Sequence, residues 1–255
     1  MEKVIIILFG LAWGSFLNVV IHRLPRGLSL IHPPSSCPQC GRRIKFYENI
    51  PLLSYAFLRG KCRGCGAKIP VSYPLVEALT PLCFLLIYGH YGISVHFFAA
   101  CLFTSSLIVL AFIDYFHQIL PDEITLPGIG LAVFYSFFRD DLALKGALFG
   151  AVVGAGILLL IFGLYYLLRK KEGLGMGDVT LMLMTGAFLG WKGALLTLIL
   201  GSFCGAIAGV FILAFKNKSL QHALPFGTFL APAAFIALLY GQEIISAYLS
   251  LYRTP

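Results

Sequence analysis

The chain has 255 residues, of which 59% are hydrophobic and only 12% are charged, and its mean hydropathy is +0.88. Because a soluble domain carries roughly 25% charged residues, this chain has too few charges to cover a surface that faces water. The high apolar content also excludes an intrinsically disordered protein. The composition therefore predicts an all-α protein that crosses the lipid bilayer several times, since helices satisfy their own backbone hydrogen bonds there.

Apolar segments along the chain predict about eight transmembrane helices, each of which needs about 20 mostly apolar residues. Three of the segments are short, which leaves seven spans or one re-entrant segment as alternatives. The first segment has no small-residue cleavage site after it, which favours a retained helix over a signal peptide. The predicted helices are Val4–Ile21, Leu75–His90, Ile93–Ile113, Glu123–Phe138, Leu144–Leu168, Val179–Gly190, Gly193–Ala214 and Pro225–Leu249.

Basic residues are distributed unequally between the two sides that eight spans define. Fourteen Lys and Arg residues fall on the side of the polar stretch 22–74, and five fall on the other side. Because cytoplasmic loops carry the excess of basic residues, we expect 22–74 to face the cytoplasm and both termini to lie outside. Anionic lipids are sufficient partners for these charges, so the net charge of +8 does not predict a nucleic-acid partner.

The polar stretch predicts a small metal-binding module. The expected division of the chain is a first transmembrane helix over 1–21, a cytoplasmic module over 22–74 and a seven-helix membrane domain over 75–255. Two Cys-x-x-Cys pairs lie in the module with 21 residues between them. This spacing is typical of a structural zinc site with four thiolate ligands, here Cys37, Cys40, Cys62 and Cys65. Two disulfides are the alternative, but they rarely persist in the cytoplasm.

Two aspartates lie at predicted helix ends on the cytoplasmic side. Ionisable residues in membrane segments are candidates for function, and Asp114 ends the third helix while Asp178 begins the sixth. Two adjacent carboxylates share one proton, so that one serves as a base and the other as an acid, as aspartyl proteolysis requires. The helix N-terminus favours the ionised form of Asp178. An interfacial ion pair for Asp114 and an N-cap role for Asp178 stay open.

The loop before Asp178 contains two glycines, Gly175 and Gly177. Glycine lets a backbone approach a substrate closely and adopt a positive φ. Two functions outside proteolysis are also compatible with these residues. One is a proton-coupled transporter that uses Asp114 and Asp178, and the other is a membrane-anchored zinc adaptor without catalytic activity.

Taken together, the ordered motifs resemble the bacterial prepilin peptidases, which belong to the GxGD aspartyl protease class. The resemblance covers nearly the whole chain and rests on the segment 14–25, the two cysteine pairs, the segment 72–77, Asp114 with Pro121 and Asp122, the Gly-x-Gly-Asp motif at 175–178, and the segment 225–227. It implies that Asp114 and Asp178 are catalytic. The implied substrates are type IV prepilins or type II secretion pseudopilins, whose basic leader is cleaved after glycine at the bacterial inner membrane.

The resemblance also implies a second reaction, in which the new N-terminal residue is methylated with S-adenosylmethionine. Members that carry the cysteine tetrad are usually bifunctional. No motif of a soluble methyltransferase is present, so we expect the donor site between the zinc module and the first helices. Candidates for substrate or cofactor binding are Asn18, His22, Arg23, Glu77 and Asp122.

These candidates have simpler structural roles as well. Helix termination explains the first three, an ion pair with Arg23 explains Glu77, and helix capping explains Asp122. A basic leader also needs acidic partners. We hypothesise that Asp122, Glu123 and Glu172 receive the positive charges of the leader.

Overall fold

The described part of the chain is almost entirely helical. The computed structural model describes residues 1–139, 142–170, 175–216 and 224–251, and these residues contain no β-strand. The helices are α1 (Glu2–Arg23), α2 (Leu53–Phe57), α3 (Ser72–Tyr91), α4 (Val95–His117), α5 (Asp122–Tyr135), α6 (Leu144–Arg169), α7 (Met176–Lys216) and α8 (Gly227–Ser250). Six of them are long and apolar enough to cross a membrane: α1, α3, α4, α6, α7 and α8. The prediction of an all-α, multi-pass membrane protein is therefore confirmed.

Each of the eight predicted helical segments is found within the described ranges. The sixth and seventh run together as α7, but Gly190 inside it has φ 74° and ψ 175°, which lies outside the helical region. The helix therefore consists of two stretches that meet at this residue. Carbonyl groups at a helix end lack a partner inside the helix. Near this break, the carbonyl of Phe188 accepts a hydrogen bond from the guanidinium of Arg139 at 2.7 Å. The helix α5 has 14 residues and continues into a 3-10 turn over Ser136–Phe138, so it is shorter than the six helices named above.

The chain forms two compact units, Met1–Val109 and Leu110–Pro255. The first unit contains α1, the short helices that follow it, α3 and most of α4. The second unit contains α5 to α8 and the last turns of α4. The division after residues 21 and 74 that the sequence suggests stays a prediction.

Within the first unit, two glycines of α1 allow close packing against α3. A Cβ atom added at Gly10 would lie 2.6 Å from the Cα atom of Pro81, and one added at Gly14 would lie 3.0 Å from the Cα atom of Glu77. Small residues at such contacts let two backbones approach closely, which is how helices associate in a membrane. The polar side chain of Trp13 also donates to Ser105 Oγ at 2.9 Å, which links α1 to α4 within this unit.

This packing predicts that Gly10→Ala destabilises the protein. The added methyl group would force α1 and α3 apart, and overpacking of this kind costs about 1–3 kcal/mol. Gly89→Ala is the matched control, because Gly89 lies in α3 with open space around the position of its missing Cβ atom. Thermal unfolding in detergent should show a lower midpoint for Gly10→Ala only. Equal midpoints for the two variants would contradict the packing described here.

Candidate active site and cysteine cluster

The two predicted aspartates are buried at helix ends in the second unit. Asp114 lies in the last turn of α4 and Asp178 in the first turn of α7, and their exposed fractions are 5% and 8%. The two carboxylates interact electrostatically, and the backbone of Gly227 lies near both of them. The ends of α4, α7 and α8 therefore hold two buried acidic side chains near the backbone of Gly227.

Asp114 accepts two hydrogen bonds from a single residue, Thr228, in the first turn of α8. The backbone N–H of Thr228 donates to Asp114 Oδ2 at 2.8 Å, and its hydroxyl lies 3.2 Å from the same oxygen. The first amides of a helix have no acceptor inside the helix, so the carboxylate of Asp114 caps α8. A negative charge at this position is also stabilised by the helix dipole.

The simpler roles considered for these aspartates are not found. Among the described residues the salt bridges involve only Glu48 with Arg42 and Arg63, so Asp114 has no basic partner there. Asp178 is the third residue of α7 and not its N-cap, and its backbone N–H donates to the carbonyl of Gly175 at 3.1 Å.

Two glycines beside the aspartates are packed against Leu120, which follows α4. A Cβ atom at Gly177 would lie 2.7 Å from the Cβ atom of Leu120, and one at Gly227 would lie 3.0 Å from Leu120 Cδ1 and 3.1 Å from Asp114 Oδ2. A Cβ atom at Gly175 would make an ordinary contact at 3.4 Å. Among the described residues, Gly177 is not one of the glycines with a positive φ. Of the two properties of glycine considered for this loop, close approach is therefore the one that applies at Gly177.

The four cysteines of the module form a compact cluster in the first unit. Their sulfur atoms all lie within 4.8 Å of one another, and the Sγ atoms of Cys37 and Cys65 are 3.9 Å apart. Zinc–sulfur bonds of 2.3 Å in a tetrahedron give sulfur–sulfur distances of about 3.8 Å, so this group of thiols fits a zinc ion. All four are free thiols, and the alternative of two disulfides is not found.

The two halves of the cluster are built in the same way. The N–H of Cys37 donates to the carbonyl of Arg42 at 2.9 Å, and the N–H of Cys62 donates to the carbonyl of Ala67 at 2.8 Å. Each turn closes at a glycine with positive φ, +69° at Gly41 and +73° at Gly66. Such turns point the N–H groups and both thiols of a pair toward one centre, as in metal-binding knuckles.

Electrostatics within the cluster favour a bound cation. Backbone N–H groups of Cys65 and Gly64 lower the pKa of Cys62 to about 6. An N–H of Ala67 favours the thiolate of Cys65, but burial and the neighbouring thiols raise the pKa of Cys65 to about 11. Four thiols this close resist full deprotonation by themselves, and a divalent cation would favour the thiolate form of all of them.

Glu48 is a residue that the sequence analysis missed. Its carboxylate accepts from Arg42 at 2.7 Å and lies 3.7 Å from Arg63, so it links the two knuckles. Its side chain is only 7% exposed. The signal was present in the sequence, because Glu48 is the single acidic residue of 22–74 beside nine basic residues.

The five candidate binding residues all make contacts inside the protein. The amide of Asn18 donates to the carbonyl of Tyr73 at 3.0 Å, and the guanidinium of Arg23 donates to the carbonyls of Ser29 and Pro33. The carbonyl of His22 accepts from the guanidinium of Arg26. Asp122 lies exposed in the first turn of α5, after an N-cap at Pro121, and its carboxylate lies 3.4 Å from the hydroxyl of Thr125. Their binding roles stay predictions.

The expected ion pair between Glu77 and Arg23 is not among the salt bridges of the described residues. Glu77 is buried and instead accepts from the backbone N–H of Leu52 at 2.8 Å, at the start of α2. Leu52 has a φ of 61°, which is uncommon for a residue other than glycine. The carboxylate of Glu77 thus attaches the module to α3, and its lone pairs are used by a backbone donor and not by a guanidinium.

Comparisons with known proteins agree with these features. Residues 8–91 match the family model described as the bacterial Peptidase A24 N-terminal domain, and residues 101–210 match the type IV leader peptidase family. Proteins named prepilin leader peptidase/N-methyltransferase are 41% identical in Pseudomonas putida and 42% identical in Pseudomonas aeruginosa, each alignment covering 95% of this chain and 92% of the relative. A relative of the same name in Stutzerimonas stutzeri is 38% identical over 97% of this chain and 93% of its own length.

No solved structure matches the chain. The family comparisons confirm the resemblance to bacterial prepilin peptidases that the motifs indicated. From the match to two consecutive family models and from relatives of about 40% identity over nearly the full length, it follows that the chain is a member of the type IV leader peptidase family of membrane aspartic peptidases.

Proposed function

We propose that this protein is a bifunctional enzyme that cleaves the basic leader of type IV prepilins or type II secretion pseudopilins and then methylates the new N-terminus. The relatives are named for both activities. The observation that carries the proposal is the meeting of two buried aspartates, Asp114 and Asp178, at the start of α8. Buried acids without a basic partner are costly in a membrane protein and mark functional sites.

Two interacting carboxylates supply the acid and the base of peptide hydrolysis. The ionised member takes a proton from a water molecule, whose oxygen forms a new bond to the scissile carbonyl carbon. The protonated member donates to the carbonyl oxygen, and the bond to the leaving nitrogen then breaks as that nitrogen accepts a proton. Both aspartates exchange protons during one cycle, because the pair titrates as a unit.

The substrate has to reach this point at the membrane boundary. The apolar stem of a pilin lies in the bilayer, and a glycine before the cleaved bond helps to keep that segment unwound. The excess of basic residues that the eight predicted spans imply supports a position of the aspartates on the cytoplasmic side of the bacterial inner membrane. Asp122 and Glu123 are exposed at the start of α5 and are proposed to receive the basic leader, whereas Glu172 lies outside the described residues.

The cysteine module is proposed to hold a structural zinc ion on Cys37, Cys40, Cys62 and Cys65. The ion would supply a cross-link between two knuckles that are too small to hold one shape alone. The bond from Leu52 to Glu77 joins this module to α3, and the bond from Asn18 to Tyr73 joins α1 to the first turn of α3. We place the site for S-adenosylmethionine, the methyl donor, between the module and these helices. The proposed methylation residues thus belong to the first unit, and the two aspartates belong to the second.

A proton-coupled transporter is the alternative function for Asp114 and Asp178. Such a protein needs acids near the middle of the membrane and paired half-helices, whereas these two residues lie in the terminal turns of their helices. The family comparisons also favour the peptidase.

Replacement of either aspartate by asparagine should abolish leader cleavage. An amide cannot exchange the proton, and loss of a general acid or base lowers the rate by about 10²-fold or more. Purified enzyme in detergent with a purified prepilin gives the measurement, as the change in pilin size on a gel. Glu243→Gln is the control, because Glu243 is exposed in α8. Normal cleavage by Asp114→Asn or Asp178→Asn would refute the aspartyl mechanism and favour the transporter.

The double variant Cys37→Ser/Cys40→Ser should lose zinc and methyl transfer but keep leader cleavage. Metal analysis should find one zinc per wild-type chain and none in the variant, and labelled S-adenosylmethionine should report methylation separately from cleavage. Cys204→Ser is the control, since this exposed cysteine of α7 is not one of the four that form the cluster. Full methylation by the double variant would show that the cluster does not support the methyltransferase.

Charge reversal at Asp122, Glu123 and Glu172 should weaken cleavage of a wild-type leader more than cleavage of a leader with its lysines neutralised. The expected rise in KM for the wild-type leader is about tenfold, which corresponds to about 1.4 kcal/mol. Initial rates over a range of substrate concentrations check this difference. Equal losses for the two substrates would mean that these acids do not bind the leader.

A further inference from the structure

The hydroxyl of Thr228 has two possible acceptors. It lies 3.2 Å from Asp114 Oδ2 and 3.2 Å from the carbonyl oxygen of Ala111, one turn earlier in α4. A hydroxyl has one hydrogen and can also accept a hydrogen bond. It can therefore donate to only one of these oxygens at a time.

This arrangement suits Asp114 in either protonation state. When Asp114 is ionised, the hydroxyl donates to Oδ2, which also accepts the backbone N–H of Thr228 at 2.8 Å. When Oδ2 carries the proton, the carboxyl group donates to Thr228 Oγ1, and the hydroxyl donates to the carbonyl of Ala111. No heavy atom has to move between the two states, and every polar group keeps a partner. A buried hydroxyl or carboxyl group without one would be costly.

We propose that Thr228 is a positioning residue that keeps Asp114 aligned in both of its protonation states during leader cleavage. The inference rests on the proposed function, in which Asp114 gives up and regains a proton in each cycle. Thr228 reorients its hydroxyl as this proton comes and goes, while its backbone N–H stays on Oδ2. Displacement of a reacting group by as little as 1 Å can lower a rate about a hundredfold, which is why a fixed carboxylate matters.

The variant Thr228→Val removes the hydroxyl but keeps the shape of the side chain and the backbone N–H. Its kcat for leader cleavage should fall roughly ten- to hundredfold, while KM changes less than about twofold because Thr228 does not contact the leader in this account. Thr228→Ser, which retains the hydroxyl, should restore most of the activity. A role in packing alone predicts no such rescue, because serine lacks the methyl group of threonine.

Thr197→Val is the matched control. Thr197 is a buried threonine of α7 whose hydroxyl donates to the carbonyl of Gly193 in its own helix, at 2.8 Å. Its replacement should leave both kinetic constants unchanged. The thermal unfolding midpoint of Thr228→Val in detergent should match that of the wild-type protein, which shows that the variant is folded. Thr228→Ala repeats the test if valine lowers the unfolding midpoint.

Two results would overturn the proposal. One is a wild-type kcat for Thr228→Val or, if valine unfolds the protein, for Thr228→Ala. The other is a loss in Thr228→Ser as large as the loss in Thr228→Val, since the defect would then come from packing. Failure of the proposed function is recognised separately, because in that case Asp114→Asn itself would still cleave the leader.

Discussion

The site depends on how two carboxylates are accommodated where water is scarce. Burial of an ionised acid is costly unless donors or dipoles compensate for the lost hydration. Here the compensation comes from helix ends: Asp114 caps the first turn of α8, and Asp178 lies in the first turn of α7. Repulsion between the two acids adds a further free-energy cost when both are ionised. This cost is lowest when the two carboxylates share one proton. That shared proton is what the proposed hydrolysis uses.

Glycine at the contacts around this site has the same physical purpose as in the helix packing elsewhere. Gly177 and Gly227 let the loop residue Leu120 and the carboxylate of Asp114 approach the backbone more closely than a side chain would allow. Gly10 and Gly14 allow the close contact of α1 with α3. Apolar side chains gain little free energy when they move from lipid into a contact between helices. Close packing of the backbones is therefore a main source of helix association in the membrane.

Sequence reasoning succeeded where a signal is local and failed where a contact is distant. Long apolar runs predicted the helices, and two Cys-x-x-Cys pairs predicted the cluster, because each pair is made within one turn of the chain. The two aspartates were found because acids are rare in apolar segments. Thr228 was missed because it is separated from Asp114 by 114 positions and a threonine in an apolar helix carries no signal of its own.

The errors have equally specific causes. The pairing of Glu77 with Arg23 was expected from opposite charge, but the backbone N–H of Leu52 occupies the carboxylate. The sequence pattern divided α7 near Gly190 but did not indicate the positive φ of that residue. Periodicity and charge do not report backbone geometry of this kind, which depends on neighbouring elements such as the donor from Arg139.

The central claim is that Asp114 and Asp178 act together on the tetrahedral state of the cleaved bond. The most direct measurement is the affinity of a prepilin peptide in which a carbon bearing a hydroxyl replaces the carbonyl of the glycine at the cleavage site. Because an enzyme binds the transition state more tightly than the substrate, this peptide should inhibit wild-type cleavage at concentrations about a hundredfold lower than the unmodified peptide. The variants Asp114→Asn and Asp178→Asn should bind the modified peptide no more tightly than the unmodified one. Equal affinity for the two peptides, or a gain that survives in both variants, would contradict the account.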